Sequence, residues 1–457
     1  MIRQVYSWAM WLAQPLLMRK LRKRALAEPG YGVAMQERLG YYDAPAADFA
    51  GATIWLHAVS LGETRAAAVL VQGLRAAIPG MRLVLTHGTA TGREAGLSLL
   101  TPGDIQVWQP WDTPGAVQRF LARFKPRIGL LMETEVWPNM AALCAIAGVP
   151  LCLVNARMSD KSLRQSLRLG WLAKPAYAAL HAVWAQTESD AARLRQLGAP
   201  VQAVTGNLKF DASPDAAQVA QGNAWRAEAK KPVVMFASSR EGEEAMWVDA
   251  LQARAARAND TEPDALTGGV QWLIVPHHPQ RFDQVAELLA NAGYAVSRRS
   301  AWQDGPPQGP KHDTGRDPTS ALPGDGERGD HTAATVWLGD SLGEMAVYFG
   351  MADVALLGGS FARLGGQNLI EAAACACPVI MGPHTFNFSE AAQMAASAGA
   401  AMEVNGLAQA VDVALELVHA PQKLQQARAA ARQWSQAHRG AADRTVAMVQ
   451  AVWADEA

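Results

Sequence analysis

The sequence predicts an α/β protein made of two doubly wound parallel sheets, on three observations. Short apolar, β-rich runs alternate with helical stretches along most of the chain. That rhythm of strand, helix, strand implies a parallel sheet covered on both faces. The alternation stops once, over a polar stretch from Asp211 to Lys230 that carries Pro214, and then resumes. At 457 residues the chain also exceeds what one core usually serves, so two domains of about 200 residues are the default.

Taken in order, Val5 to Met18 is mostly apolar with Tyr6, Trp8 and Trp11, and Arg19, Lys20, Arg22, Lys23 and Arg24 follow at once. Fourteen residues fall short of the roughly 20 that span a bilayer. A secretory signal would place its charge before the apolar run instead of after it. Residues 1–24 therefore read as a membrane anchor with a polybasic run, its basic side and the body in the cytoplasm, spanning an anionic membrane or lying on it. A first core helix with a solvated basic end fits the same residues.

The first domain, residues 25–211, takes its strands from Ile54–Val59, Arg82–Thr86, Ile105–Trp108, Ile128–Met132, Leu151–Val154, Val183–Ala185 and Val201–Val204. Residues 212–230 read as a linker. The second domain, 231–436, takes Val233–Ala237, Trp272–Val275, Tyr294–Ser297, Thr335–Leu338, Val354–Leu357 and Val379–Met381. Within it, Trp302 to His331 holds eleven Gly or Pro among thirty residues, too few aliphatics for a core, and reads as a mobile surface insertion. Residues 437–457 read as a C-terminal helix packed on a domain surface.

Composition excludes several classes. Half the residues are apolar and the net charge is only -1, so no global field recruits nucleic acid. Cys144, Cys152, Cys375 and Cys377 lack metal-like spacing and read as buried thiols of a reducing compartment. No H-E-x-x-H or D-x-D pair suggests a metal, and no G-x-G-x-x-G with a following acid suggests a nicotinamide cofactor.

Chemistry is expected at the strand carboxyl ends, where open α/β sheets bind ligands, in a cleft between the two domains. Glu63 follows the first strand in HAVSLGE, placed either for general-base work or simply as a first-turn helix acid. Glu133 and Glu135 follow the fourth strand, and Lys209 ends the first domain in GNLKFD. In the second domain Ser238, Ser239 and Arg240 could meet a phosphate, and Pro276, His277 and His278 a base or sugar. Two glycine turns, Leu342-Gly343-Glu344 and Gly358 to Gly366, each lead from a strand toward a helix; the second helix opens at Asn368 and carries Leu369, Ile370 and Glu371. Free N–H groups and a helix dipole at such a turn suit an anion. Acids on one domain and anion-binding turns on the other imply a nucleotide-activated donor and an acceptor to be deprotonated.

These residues resemble a known family over nearly the whole chain. WLHAVSLGE, METEVWPN, LVNARMSDKS, GNLKFD, PHHPQRF, LGDSLGEM and GGSFARLGGQNLIEAAACACPVIMGPHTFNF are similar, in order, to motifs of the 3-deoxy-D-manno-octulosonic acid (Kdo) transferases. The resemblance implies the GT-B glycosyltransferase fold, two Rossmann-like domains facing a cleft. It implies transfer of Kdo from CMP-Kdo to lipid IVA at the cytoplasmic face of the inner membrane in lipopolysaccharide assembly, with inversion, no metal and no cofactor. It makes Glu63 the base, and Glu133 and Lys209 transition-state stabilisers. Pro276 and His277, Leu342 to Glu344, and Asn368, Leu369, Ile370 and Glu371 become CMP-binding segments. The family usually has Arg at His277 and often His at Arg240. The competing expectations are a GT-B enzyme acting on a UDP-sugar, as transferase or epimerase, and a non-catalytic membrane-bound scaffold.

Overall fold

The computed structural model describes residues 2–43, 53–258, 267–307 and 334–455. It divides into two compact units, Met1–Ala212 with His438–Ala457, and Ser213–Ala437.

In the first unit β1 (Thr53–His57), β2 (Arg82–His87), β3 (Ile105–Trp108), β4 (Ile128–Met132), β5 (Leu151–Ala156), β6 (Ala182–Ala185) and β7 (Val201–Val204) form one sheet. Its order is β3-β2-β1-β4-β5-β6-β7, with every pairing parallel. All five residues of β1 and of β4 are buried, as helices on both faces require. The chain builds outward from β1 to β3, then crosses back to β4, so strand order reverses between β1 and β4. A crevice opens at such a reversal, above the strand carboxyl ends, and a ligand can enter it.

The tail belongs to this unit. Helix Ala441–Asp455 packs on helix Leu61–Ala77, with Val446 seated against Gly73, and Ala441, Val446, Val449 and Val452 join the sheet's core. Asp211 accepts the N–H groups of Gly440 and Ala442, tying the helix start to the end of the domain it completes.

The second unit contains β8 (Val233–Ser239), β9 (Gln271–Pro276), β10 (Ala295–Arg298), β11 (Thr335–Leu338), β12 (Val354–Leu357), β13 (Val379–Met381) and β14 (Ala401–Glu403), in the order β10-β11-β9-β8-β12-β13-β14. These pairings are parallel too, and order reverses between β8 and β12. The stretch read as a linker is instead largely helical: Asp215 caps helix Ala216–Glu228, accepting from the N–H groups of Ala217 and Gln218. Gly222 lets that helix approach the backbone of helix Met345–Met351, where a Cβ would collide with the Val347 carbonyl. Its polar composition marks a helix with one wet side at the start of the second unit, and the break between the units falls just before it, between Ala212 and Ser213. Of the Gly/Pro-rich segment, residues from 308 on lie outside the described residues. Its root is packed: Trp302 is buried, edge-on to Trp225 and Trp337.

Helix α1 (Ile2–Ala27) is longer than the apolar run and carries the basic cluster within it. Its orientation inverts the usual amphipathic rule. Tyr6 bonds buried Asp112, Ser7 Oγ donates to Asn139 Oδ1 at 2.9 Å, and Gln14 Nε2 donates to Thr113 Oγ1 at 3.2 Å. Val5, Trp8, Trp11, Leu12 and Leu16, at helical spacing, stay exposed. No described helix is long and apolar enough to cross a membrane.

Candidate functional site

Ser60 is the N-cap of helix Leu61–Ala77, and Glu63 stands three residues on. The two form a reciprocal cap: the Ser60 hydroxyl accepts the Glu63 N–H, while the Glu63 carboxylate accepts from Ser60 Oγ and from the Val59 N–H, both at 2.9 Å. Burial pushes the Glu63 carboxyl up to about 7; the Val59 N–H opposes the shift, and the negative charge of Glu133 adds to it. A carboxyl poised near neutrality and partly open can take up a proton at physiological pH.

Behind this turn lie two buried histidines. His57 bonds Thr86, and His87 Nδ1 lies 2.9 Å from the Ala58 carbonyl. Burial lowers them to about 3 and about 4, so both are neutral props of the turn.

Across the reversal point, Glu133 follows β4 with a left-handed φ of 58°, a strained conformation for a side-chain-bearing residue. Lys209 Nζ donates to its Oε1 at 3.0 Å, and the Arg157 guanidinium sits 3.8 Å from its Oε2. Asn155, fully buried at the end of β5 with φ 51°, accepts the Leu208 N–H and so fixes the turn bearing Lys209. Burial raises the carboxyl of Glu135, which accepts from the Trp137 indole. The structure thus brings Glu63, Glu133 and Lys209 to one end of one sheet and adds Arg157.

In the second unit the remaining predicted residues follow β9, β11 and β12, at the carboxyl edge of their sheet. Pro276 ends β9 and is buried, whereas His277 is exposed, its N–H donating to the Ser239 carbonyl and its ring edge-on to His278. Leu342 is 74% exposed beside Gly343, which has φ 79°. Glu344 is engaged by Arg299 at 2.8 Å and by the Ser341 hydroxyl. Asn368 caps helix Leu369–Ala374 through the Ile370 N–H. Leu369 and Ile370 are buried in the core, so only their backbone could meet a ligand; Glu371 is half-buried.

The glycine turn after β12 departs from expectation. The N–H groups of Gly359, Phe361 and Ala362 are not free. Fully buried Glu243, at the start of helix Glu243–Ala258, accepts from Gly359 and Arg240 through Oε2 and from Phe361 and Ala362 through Oε1, at 2.7 to 3.1 Å. The carboxylate occupies the anion position that the glycines form. Gly358 allows the close approach of β12 and β8, since a Cβ would strike the Ser238 carbonyl. Ser239, expected to meet phosphate, is buried and donates to Glu244, which pairs in bidentate fashion with Arg281. Sequence reasoning missed the role of Glu243, whose only local signal was an acid three residues after Arg240, and gave Arg157 no role inside LVNARMSDKS. Among the described residues no group of three or more His, Cys, Asp or Glu is arranged to hold a metal.

Residues 34–212 match the family described as 3-Deoxy-D-manno-octulosonic-acid transferase (kdotransferase). A 3-deoxy-D-manno-octulosonic acid transferase of Bordetella pertussis is 46% identical, the match covering 97% of this chain and 98% of that one. One from Haemophilus influenzae is 30% identical, over 91% and 90% of the two chains. Among solved structures, a glycosyltransferase from Rickettsia africae ESF-5 superposes with a TM-score of 0.51 at 12% identity, covering 89% of this chain and 99% of that one, a likeness of fold alone. The fold is GT-B, and the chain belongs to the family of 3-deoxy-D-manno-octulosonic acid transferases.

Proposed function

We propose that this Kdo transferase takes its sugar from CMP-Kdo and places it on lipid IVA, with Glu63 as the general base. The observation that carries the mechanism is the Glu63 carboxyl, held by Ser60 and Val59 and raised to about 7 beside Glu133 and Lys209. Ionised Glu63 would remove the proton from an acceptor hydroxyl as its oxygen attacks the anomeric carbon. The bond from that carbon to the phosphate oxygen of CMP would break, and CMP would leave with the electron pair. A single displacement from the face opposite the leaving group inverts the anomeric centre. Lys209 and Glu133 would stabilise charge developing around that carbon by preorganised electrostatics. The segments Pro276–His277, Leu342–Glu344 and Asn368–Glu371 would hold CMP. A monophosphate departs with less charge than a diphosphate, so this reading calls for no metal and no cofactor.

Acceptor and place go together. Helix α1 is held by Tyr6, Ser7 and Gln14 and turns Trp8, Trp11, Leu12 and Leu16 outward. Arg19, Lys20, Arg22, Lys23 and Arg24 supply cations for anionic headgroups. Such a helix suits the interface of the cytoplasmic leaflet of the inner membrane, lying on it, with the lipid acceptor in the same plane.

Purified protein given CMP-Kdo and lipid IVA in the presence of EDTA is expected to yield products heavier by one or more Kdo residues, resolved by mass. Failure with CMP-Kdo while a UDP-sugar is turned over would overturn the donor. In a flotation assay the protein is expected to rise with anionic vesicles, and Trp8→Ser/Trp11→Ser to remain below. Equal flotation of both would remove α1 as the membrane contact.

A further inference from the structure

The family name carries one chemical fact that the site described so far does not use. A ulosonic acid bears a carboxylate bonded directly to its anomeric carbon, so an enzyme moving such a sugar has an anion within one bond of the reacting atom. Whatever receives that anion must lie beside the base and its companions.

Glu133 has two cations where one suffices. Lys209 meets Oε1 at hydrogen-bond distance, whereas Arg157 stands 3.8 Å from Oε2, beyond a hydrogen bond, with its side chain 36% exposed. The guanidinium makes no other ion pair among the described residues. Its backbone is fixed: the Arg157 N–H donates to the Glu133 carbonyl, and Asn155, two residues earlier, is locked in a left-handed conformation by its bond to the Leu208 N–H. A rigid stem with a loosely engaged planar fork is what bidentate recognition of a carboxylate requires.

We propose that Arg157 binds the carboxylate of the transferred sugar acid and thereby sets the orientation of its anomeric carbon toward the base. The assignment rests on the reading of Glu63, Glu133 and Lys209 as the reacting centre. It makes Arg157 a specificity residue, separating ulosonic acids from neutral ketoses and aldoses. The Glu133 strain then has a use, since the turned backbone brings the strand end carrying Arg157 against the carboxylate that steadies it.

The test uses the full-length protein, comparing wild type, Arg157→Gln and Arg157→Lys. Binding of CMP-Kdo and of CMP alone is measured by calorimetry, and KM is measured separately for CMP-Kdo and lipid IVA. Arg157→Gln is expected to weaken CMP-Kdo binding and raise its KM by about ten- to hundredfold, the loss of one charge-assisted contact. CMP affinity and the lipid IVA KM are expected to stay unchanged, with Arg157→Lys intermediate. An equal loss of CMP and CMP-Kdo affinity would overturn the proposal by showing general damage. A rise in the lipid IVA KM alone would overturn it by assigning Arg157 to an acceptor phosphate. No change in any constant would overturn it outright. Wild type that turns over no CMP-Kdo fails the transfer assay by itself, so loss of the donor reading is distinguishable from loss of this subsite.

Discussion

Glu63→Gln is expected to lower the turnover of sugar transfer by about 10²- to 10⁴-fold, the usual worth of a positioned general base. The substitution is chosen for what it keeps. Glutamine at the third helical position can still accept the Val59 N–H, so helix Leu61–Ala77 should remain capped and melting should barely move. Wild-type kcat/KM should climb with pH through about 7 and level off above it, because only the ionised carboxylate can take a proton. The Gln variant should lose that limb. Stability should run the other way. Burial holds the native Glu63 proton more tightly than the unfolded chain does, so between the ordinary carboxyl range and about pH 7 the native state binds the extra proton. This group's contribution is therefore fully present at low pH and fades as pH rises through about 7. A Gln variant with more than a tenth of wild-type turnover, or an unchanged pH profile, would remove Glu63 as the base.

Glu243→Ala is expected to cost about 3 kcal/mol or more, because two buried and two half-buried N–H donors lose their acceptor and each buried orphan costs roughly 1–3 kcal/mol. For a unit of this size that is a fall in melting temperature of about 6 to 12 °C. Glu243→Gln is the sharper probe. Each carboxylate oxygen takes two of the four donors, so an amide must point its own N–H₂ at a pair of N–H groups. The near-isosteric change should therefore destabilise almost as much as truncation, which a solvated acid would not do. Thermal melting of both variants decides the matter; a Gln variant melting with wild type would show that the loop holds its shape unaided.

The sheets were legible because parallel strands are buried on both faces and appear as short apolar runs, Ile128–Met132 being a clear case. The turn chemistry was partly legible: Ser60 and Glu63 announce a capping pair by spacing alone. The union of Glu133 with Lys209 was not, since 76 residues separate them and only the family resemblance placed them together. Glu243 was illegible for a related reason. A first-turn acid normally faces solvent, and nothing local says that a loop 116 to 119 residues later will close over it. The polar stretch 212–230 misled because composition reports a wet face, and helix Ala216–Glu228 has one.

The chain's last helix bears on how this protein comes to be made. Ala441, Ala442, Val446, Val449 and Val452 complete a core whose other buried members are synthesised before residue 213. At a translation rate of about 5 to 20 residues per second, the ribosome spends on the order of ten to forty seconds on the intervening unit, Ser213–Ala437. Throughout that interval one flank of helix Leu61–Ala77, the helix that presents Glu63, is bare. The nascent first unit is thus an unfinished structure with an apolar face until helix Ala441–Asp455 has been made.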